Sequence, residues 1–252
     1  MQMTDNTIFI TGGTSGIGRA LAEQFHARGN KVVIAGRRQS LLDEVTAANP
    51  GMEGIRLDIS DPADIDRVAA KLIADYPTLN VLINNAGIMP FDDPAGTIDD
   101  AVSRRILDTN LLGPIRLTSA LIGHMKAQPR ATIIHNTSVL AYVPIATNGV
   151  YSASKAALHS YALSQRFQLK NTNVTVQEIA PPWVDTDLIK KSGDPRAMPL
   201  EAFIAETMEK LATDAPEIFV DAIRDMRANP GLHEHELVDG FNDHIAANPI
   251  PA

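Results

Sequence analysis

The chain has 252 residues, 44% of them hydrophobic, and no cysteine. Disulfides, thiolate nucleophiles and cysteine-bound zinc or iron–sulfur sites are therefore excluded, and a chain of this length can bury a substantial core without disulfides or metals. With 22 basic against 30 acidic side chains the formal net charge is -8, which argues against a general nucleic-acid binder.

The N-terminal segment MQMTDNTIFITGG has no basic leader and reaches a strand within a few residues. It reads as mature from the start, and no apolar run approaches the roughly 20 residues that span a bilayer. A soluble, cytoplasmic protein is expected. Short β-branched runs then alternate with amphipathic stretches. TIFIT (7–11), KVVIAG (31–36), IRLDI (55–59), NVLINNAG (80–87), ATIIHNTS (131–138) and NVTVQEIAP (173–181) read as strands. Most are apolar almost throughout, as strands covered on both faces are. IGRALAEQFHARG and DIDRVAAKLIADY between them read as helices. Gly29 suits the stop of the first, and Asp61-Pro62 suits the start of the other. The alternation predicts a doubly wound α/β fold, a parallel sheet between two helical layers, in one Rossmann-type domain over 1–252.

After about residue 185 the pattern changes. Residues 186 to 230 read as helical, with breaks at Gly193, Pro195, Pro199 and Pro216, and 186–210 is expected to form a substrate lid that adds Phe203 and Ile204 to the pocket. PEIFVDAIRDM (216–226) reads as a helix rather than a strand. The tail 231–252 is polar and punctuated, and its order is expected to depend on contact with the domain or a second subunit.

TGGTSGIG (11–18) follows the first strand and opens the first helix. Gly12, Gly16 and Gly18 leave room for backbone amides to approach an anion, and a helix N-terminus favours a pyrophosphate. The spacing Thr-Gly-x-x-x-Gly-x-Gly resembles the short-chain dehydrogenase/reductase family. That resemblance implies a nicotinamide cofactor held by Gly12, Thr14, Ser15, Gly16, Ile17 and Gly18. At the end of the second strand NAD-preferring folds carry an acid for the adenosine ribose. Here Gly36 is followed by Arg37 and Arg38. Guanidinium matches phosphate in charge and geometry, so NADP(H) is expected, with Arg37 as the main phosphate contact. By resemblance Asp58 meets the adenine amino group, Ile59 borders the ring, and Asn85, Ala86 and Gly87 line the adenosine side.

Ser138 ends the fifth strand, Tyr151 follows thirteen residues later and Lys155 four beyond that. This resembles the family's catalytic Ser, Tyr-x-x-x-Lys arrangement, and Asn110 falls where the family carries its fourth catalytic residue. Ketone reduction places negative charge on the carbonyl oxygen, and a phenol can donate the proton there. A tyrosine pKa near 10 is too high for easy transfer, so Lys155 is expected to lower it. Lys155 can also bond the nicotinamide ribose, Ser138 can direct the substrate oxygen, and by resemblance Asn110 holds a water that links Lys155 to solvent. Tyr161 reads as structural, His135 as a strand-facing core histidine, and His233 and His235 as a solvated turn rather than a metal site.

The sixth strand runs into PPWVDTDL (181–188), with Pro182 where many relatives carry glycine. Pro181, Val184 and Thr186 are expected at the cofactor. The pocket residues read from the loops are Leu140, Tyr142, Trp183 and Leu188, almost all apolar. They suggest a neutral apolar or aryl ketone or keto ester, with Lys190 and Lys191 able to reverse that if the lid folds inward. Resemblance to bacterial short-chain oxidoreductases and carbonyl reductases implies an NADPH-dependent enzyme with no metal, no nucleic-acid or membrane partner, and a homodimeric or homotetrameric state. Two other readings stay open: an epimerase or dehydratase on the same scaffold, and an NADP(H)-sensing or interaction protein.

Overall fold

The computed structural model describes residues 1–189, 193–228 and 231–249. Seven parallel strands form one sheet in the order β3-β2-β1-β4-β5-β6-β7. They are β1 (Thr7–Thr11), β2 (Lys31–Gly36), β3 (Glu53–Arg56), β4 (Leu79–Asn84), β5 (Ala131–Asn136), β6 (Val174–Ile179) and β7 (Glu217–Ile218). Helices α1 (Gly16–Ala27), α2 (Gln39–Ala48), α3 (Pro62–Asp75), α4 (Asp100–Leu107), α5 (Gly113–Ala127) and α6 (Gly149–Leu169) cover its faces. Helices α7 (Leu200–Leu211), α8 (Arg224–Ala228) and α9 (Glu234–Ala247) complete the described chain.

Strand alternation divides the core. Ile8 and Ile10 of β1 face one apolar cluster with Leu21, Phe25 and Tyr151. Phe9 between them faces the other, with Val68, Leu72 and Leu121. The middle of the sheet is thus sealed on both sides, which is why β1 and β2 are largely apolar, while edge strand β3 (EGIR) buries only Ile55. Local signals hold where they were read. Gly29 ends α1 at φ +82, and Asp61 caps α3 by accepting from Ala63 N at 2.9 Å, with Pro62 in the first turn.

Several elements end or form differently from their sequence pattern: β3 lies at 53–56 rather than 55–59, and β5 and β6 stop at Asn136 and Ile179 rather than 138 and 181. The strand expected through Gly87 stops at Asn84, because Asn85 N and Ala86 N turn to donate to Thr11 Oγ1 at 3.0 and 3.1 Å. The segment expected as a helix over 216–226 instead starts with β7, which pairs with β6 through Glu178↔Glu217 and Ile179↔Ile218; a short 3-10 turn and α8 follow. A polar network secures this edge. Fully buried Glu178 is held by Arg166 and His159, while Glu217 is held by Arg227 and the Tyr142 hydroxyl. Buried carboxylates survive when paired in this way, and such partners from distant segments are invisible to a local pattern. The polar tail also folds, as α9, with Asn242 bridging to Ala146 N and Pro144 O at 2.6 and 3.0 Å.

The sheet order reverses between β1 and β4, both central. In doubly wound folds the crevice at such a switch point, beyond the carboxyl ends of the strands, receives ligands. Both the glycine-rich turn after β1 and the Asn85–Gly87 turn after β4 lie there.

Candidate active site

The turn after β1 is built for close approach. Gly12 has φ +66, and a Cβ there would stand 2.9 Å from Ala86 Cα and from Asn85 Nδ2. A Cβ on Gly18 would stand 2.3 Å from Asn85 Nδ2 and from Gly12 O. Ser15 precedes α1 in an extended conformation and its side chain caps nothing, and no acid occupies the first turn. The first amides of α1 are therefore open to an anion, as pyrophosphate binding requires. A cavity of about 530 Å³ opens at this helix end, lined by Thr14, Ser15, Gly16, Arg19, Arg38 and Leu41 among others. Ile17 packs against the adjoining core and Thr186 lies over Gly16, 3.3 Å from where a Cβ would be.

Arg38 lines this cavity. Arg37 is exposed beside it, its carbonyl accepting from Arg56 Nε at 3.4 Å, and it is not among the lining residues. Gly36 abuts Thr14, whose Cγ2 would be 3.0 Å from a Cβ, so a larger side chain is disfavoured there. Asp58 uses one carboxylate oxygen to hold Ser60 N and Oγ, at 3.0 and 2.6 Å, and Ile59 is buried.

The residues expected to react converge from four elements. Tyr151 and Lys155 lie one turn apart on α6, both about 95% buried. Ser138, two residues past β5, stands near enough to the Tyr151 hydroxyl to oppose the rise of its pKa, and its Oγ accepts from Leu140 N at 3.1 Å. Asn110 sits fully buried in a π-helical turn between α4 and α5. Such turns re-aim side chains out of regular register. Gly87 closes the group: a Cβ there would lie 3.5 Å from Asn110 Oδ1 and 3.7 Å from Lys155 Nζ. Asn110 Nδ2 also reaches Ser154 Oγ at 3.3 Å.

Burial dominates the protonation of this centre. It pushes the Tyr151 phenol up to about 12, with the Ser138 hydrogen bond opposing. It also brings the Lys155 ammonium down to about 8. The expected lowering of the tyrosine is thus not met in the chain by itself. Lys155 Nζ lies 5.6 Å from the Tyr151 ring centroid and donates to Asn136 O at 2.7 Å, and desolvation penalises both charged forms.

Elsewhere the pocket residues are spread. Leu140 and Val184 join the cluster around Tyr151, and Pro181 O accepts from Val139 N at 2.9 Å. Tyr142 is turned to Glu217 and stacks edge-on against His159. Trp183 lies under the Arg196 guanidinium, 5.1 Å from the ring, while Leu188 is exposed. Phe203 and Ile204, expected to face substrate, are packed in the core at 1% and 4% exposure. Lys190 and Lys191 lie outside the described residues. His135 is buried between Gln165 Oε1 at 2.9 Å and Asn84 Nδ2 at 3.3 Å, and Tyr161 meets its ring edge-on. His233 and His235 are exposed at the start of α9. Sequence reasoning passed over Asn136, although a polar residue two positions before Ser138 in an apolar strand shares its face.

The profile of the short chain dehydrogenase family matches residues 6–197. The chain belongs to the short-chain dehydrogenases. Among relatives of this family, the Bacillus subtilis (strain 168) protein named uncharacterized oxidoreductase DltE is 36% identical over 251 residues, 98% of this chain and 95% of that one. A Burkholderia cenocepacia J2315 short chain dehydrogenase solved with NADP superposes with a TM-score of 0.81 at 23% identity, covering all of both chains. A Burkholderia phymatum short-chain dehydrogenase/reductase solved with NAD gives the same score at 23% identity, over 90% of this chain and 94% of that one. These two likenesses show the fold. Membership of the short-chain dehydrogenases makes the chain an oxidoreductase of nicotinamide chemistry. Among the described residues no helix is long and apolar enough to cross a membrane.

Proposed function

We propose that the chain is an NADP(H)-dependent carbonyl reductase and alcohol dehydrogenase acting on a neutral apolar or aryl ketone or keto ester. The convergence of Ser138, Tyr151, Lys155 and Asn110 beside the open end of α1 carries this reading. The reduced cofactor, when bound, supplies a hydride to the carbonyl carbon. Tyr151 gives its phenolic proton to the carbonyl oxygen, so that a secondary alcohol forms. Ser138 orients that oxygen by a hydrogen bond, the kind of donor that stabilises developing negative charge. Lys155, with two ammonium donors beyond the one on Asn136 O, stabilises the phenolate that remains. Apolar Leu140 and Val184 and the aromatic Trp183 support a neutral substrate.

The preference for NADP(H) rests on Arg37 and Arg38, with no acid at position 36. Arg37 was expected to be the main contact; the cavity is lined by Arg38 and not by Arg37, which supports Arg38 in that role. We read residues 1–252 as one domain, cytoplasmic, and assembled as a homodimer or homotetramer. Leu163 and Phe167, exposed by 49% and 64% on α6, support an assembly face there.

The test is consumption of NADPH with a panel of ketones, keto esters and carboxylate-bearing aldehydes. Reduction of neutral ketones, lost in Tyr151→Phe with cofactor binding kept, is expected. Turnover of carboxylates alone would overturn the substrate class, and undiminished turnover by Tyr151→Phe would overturn the proton donor. Equal efficiency with NADH would overturn the cofactor preference.

A further inference from the structure

Helix α9 lies outside the stretch that the family profile matches, and it is tied down at two points. Near its middle, Asn242 Nδ2 donates to Pro144 O at 3.0 Å and Asn242 Oδ1 accepts from Ala146 N at 2.6 Å. At its C-terminal end, Arg196 donates to Asn248 O at 2.5 Å and to Pro249 O at 2.9 Å. The last carbonyls of a helix lack partners within it and carry partial negative charge, so a guanidinium is favoured there. Asp194 pairs with the same guanidinium, at 2.9 and 2.6 Å.

The two anchors belong to different walls of the site. Pro144 and Ala146 lie on the loop between Ser138 and Tyr151, and Ala146 starts the short turn that leads into α6. Arg196 belongs to the Trp183 wall. Met198 N donates to Trp183 O at 2.8 Å, Asp185 N donates to Met198 O at 3.0 Å, and the guanidinium covers the Trp183 ring at 5.1 Å. Asn242 and Asn248 are six residues apart, about 9 Å along a helix. α9 is therefore a bar of fixed length between the two walls.

Between this bar and the loop after β4 lies a cleft of about 210 Å³, lined by Phe91, Ala146, Ile245, Ala246 and Pro249 among others. Among the described residues none that lines it is charged. Thr147, also in the lining, precedes Tyr151 by four residues, about one helical turn. The loop after β4 is stitched to the same helix start. Asn148 Nδ2 donates to Pro90 O at 2.9 Å, and Gly149 N and Val150 N donate to the Asp92 carboxylate at 2.8 and 2.9 Å. The cleft is thus built on the loops that leave the carboxyl ends of β4 and β5, the side on which this fold class receives ligands.

We propose that α9 is a strap across the substrate mouth, held by Asn242 and latched by Arg196, and that the cleft beneath it takes the apolar end of a ketone whose carbonyl lies at Tyr151. This rests on reading the chain as a reductase of neutral ketones. Ile245 and Ala246 meet the substrate, whereas Asn242 and Arg196 are positioning residues that act through α9. Preference for chain length then resides in the strap and not in the Ser138–Tyr151–Lys155 group.

Steady-state kinetics with NADPH on 2-butanone and 2-octanone tests this, the readout being the ratio of their kcat/KM values. The wild-type ratio is expected to favour 2-octanone by at least about tenfold, an effect that burying two methylene groups supplies. Ala246→Glu puts a carboxylate in the cleft at an exposed helix position, which the fold tolerates, and the ratio should fall to near one. Arg196→Leu should lower the ratio severalfold through the KM for 2-octanone. Arg196→Lys, which keeps a cation for the helix end, should restore part of it. A purely structural defect would lower both ketones alike and leave the ratio where it was. An unmoved ratio in Ala246→Glu and Arg196→Leu would overturn the proposal, as would a wild type that reduces both ketones equally well. A wild type that reduces carboxylate-bearing aldehydes and no neutral ketone would overturn the underlying substrate class as well, which separates the two failures.

Discussion

Asn110 and Ile88 exchange two hydrogen bonds: Ile88 N donates to Asn110 Oδ1 and Asn110 Nδ2 donates to Ile88 O, each at 2.9 Å. A side-chain amide here replaces the strand partner that the backbone loses after β4. The turn bearing Gly87 is thus locked to the π-helical turn bearing Asn110. Replacing Asn110 by Leu leaves a backbone donor and an acceptor unpaired in a buried place. A stability loss of about 2 to 4 kcal/mol is expected, read as a lower denaturation midpoint, together with lost activity. Asn110→Leu as stable as wild type would show the pair to be incidental.

Lys155 costs the fold something in return. Its ammonium titrates near 8 when buried, against 10.5 unfolded. Below pH 8 both states are charged and the folded state bears the whole desolvation cost. Between 8 and 10.5 the unfolded chain binds more protons, so stability rises with pH. Lys155→Met is therefore expected to be more stable than wild type near neutrality, by about 1 to 3 kcal/mol after its lost hydrogen bond is counted. The advantage should shrink toward about pH 10 in denaturant titrations. A gap that does not change with pH would contradict burial as the cause.

Two glycines separate steric from conformational demand. Gly29 has φ +82 and open space around its would-be Cβ, so Gly29→Ala should cost only the left-handed penalty, about 1 kcal/mol. Gly18→Ala would meet Gly12 O and Asn85 Nδ2 at 2.3 Å. It should shift the turn and weaken dinucleotide binding by at least about tenfold, whatever its effect on stability. Calorimetry of both variants checks the contrast, since Gly29→Ala should bind as wild type does.

The exposed pair Leu163 and Phe167 lies four residues apart on α6, one turn of the same face. Phe167→Glu is expected to lower the assembly state seen by light scattering without altering the monomer's helical content. An unchanged mass would remove this face from the interface.

Much of the fold was legible because its signals are local. The central strands read directly from β-branched runs, since burial on both faces leaves no polar alternation to confuse them, whereas edge strand β3 lies at 53–56 rather than 55–59 and β7 reads as helix in the sequence. Gly29 and Asp61-Pro62 marked helix ends through φ and capping preferences that act within a turn. The candidate site was legible in the same way, as a glycine spacing and a Tyr-x-x-x-Lys interval on one helix face. The glycine-rich turn and the Tyr151–Lys155 pair belong to the sequence by itself, because both depend on intervals of a few residues.

What only the tertiary structure decided depends on partners far apart in the chain. β7 exists because Glu217 meets Arg227, Tyr142 and the edge of β6, and α9 is anchored because Asn242 reaches Pro144 and Ala146. Phe203 and Ile204 are core because α7 lies against α1. The expected lowering of the Tyr151 pKa is not met in the chain by itself for the same reason: charge was counted from sequence spacing, while desolvation is set by everything packed around the residue. The unpartnered, buried oxygen of Asn136 is likewise a tertiary fact. It follows from two side-chain amides and two backbone carbonyls meeting at the ends of β1, β4 and β5, and no interval in the chain encodes that meeting.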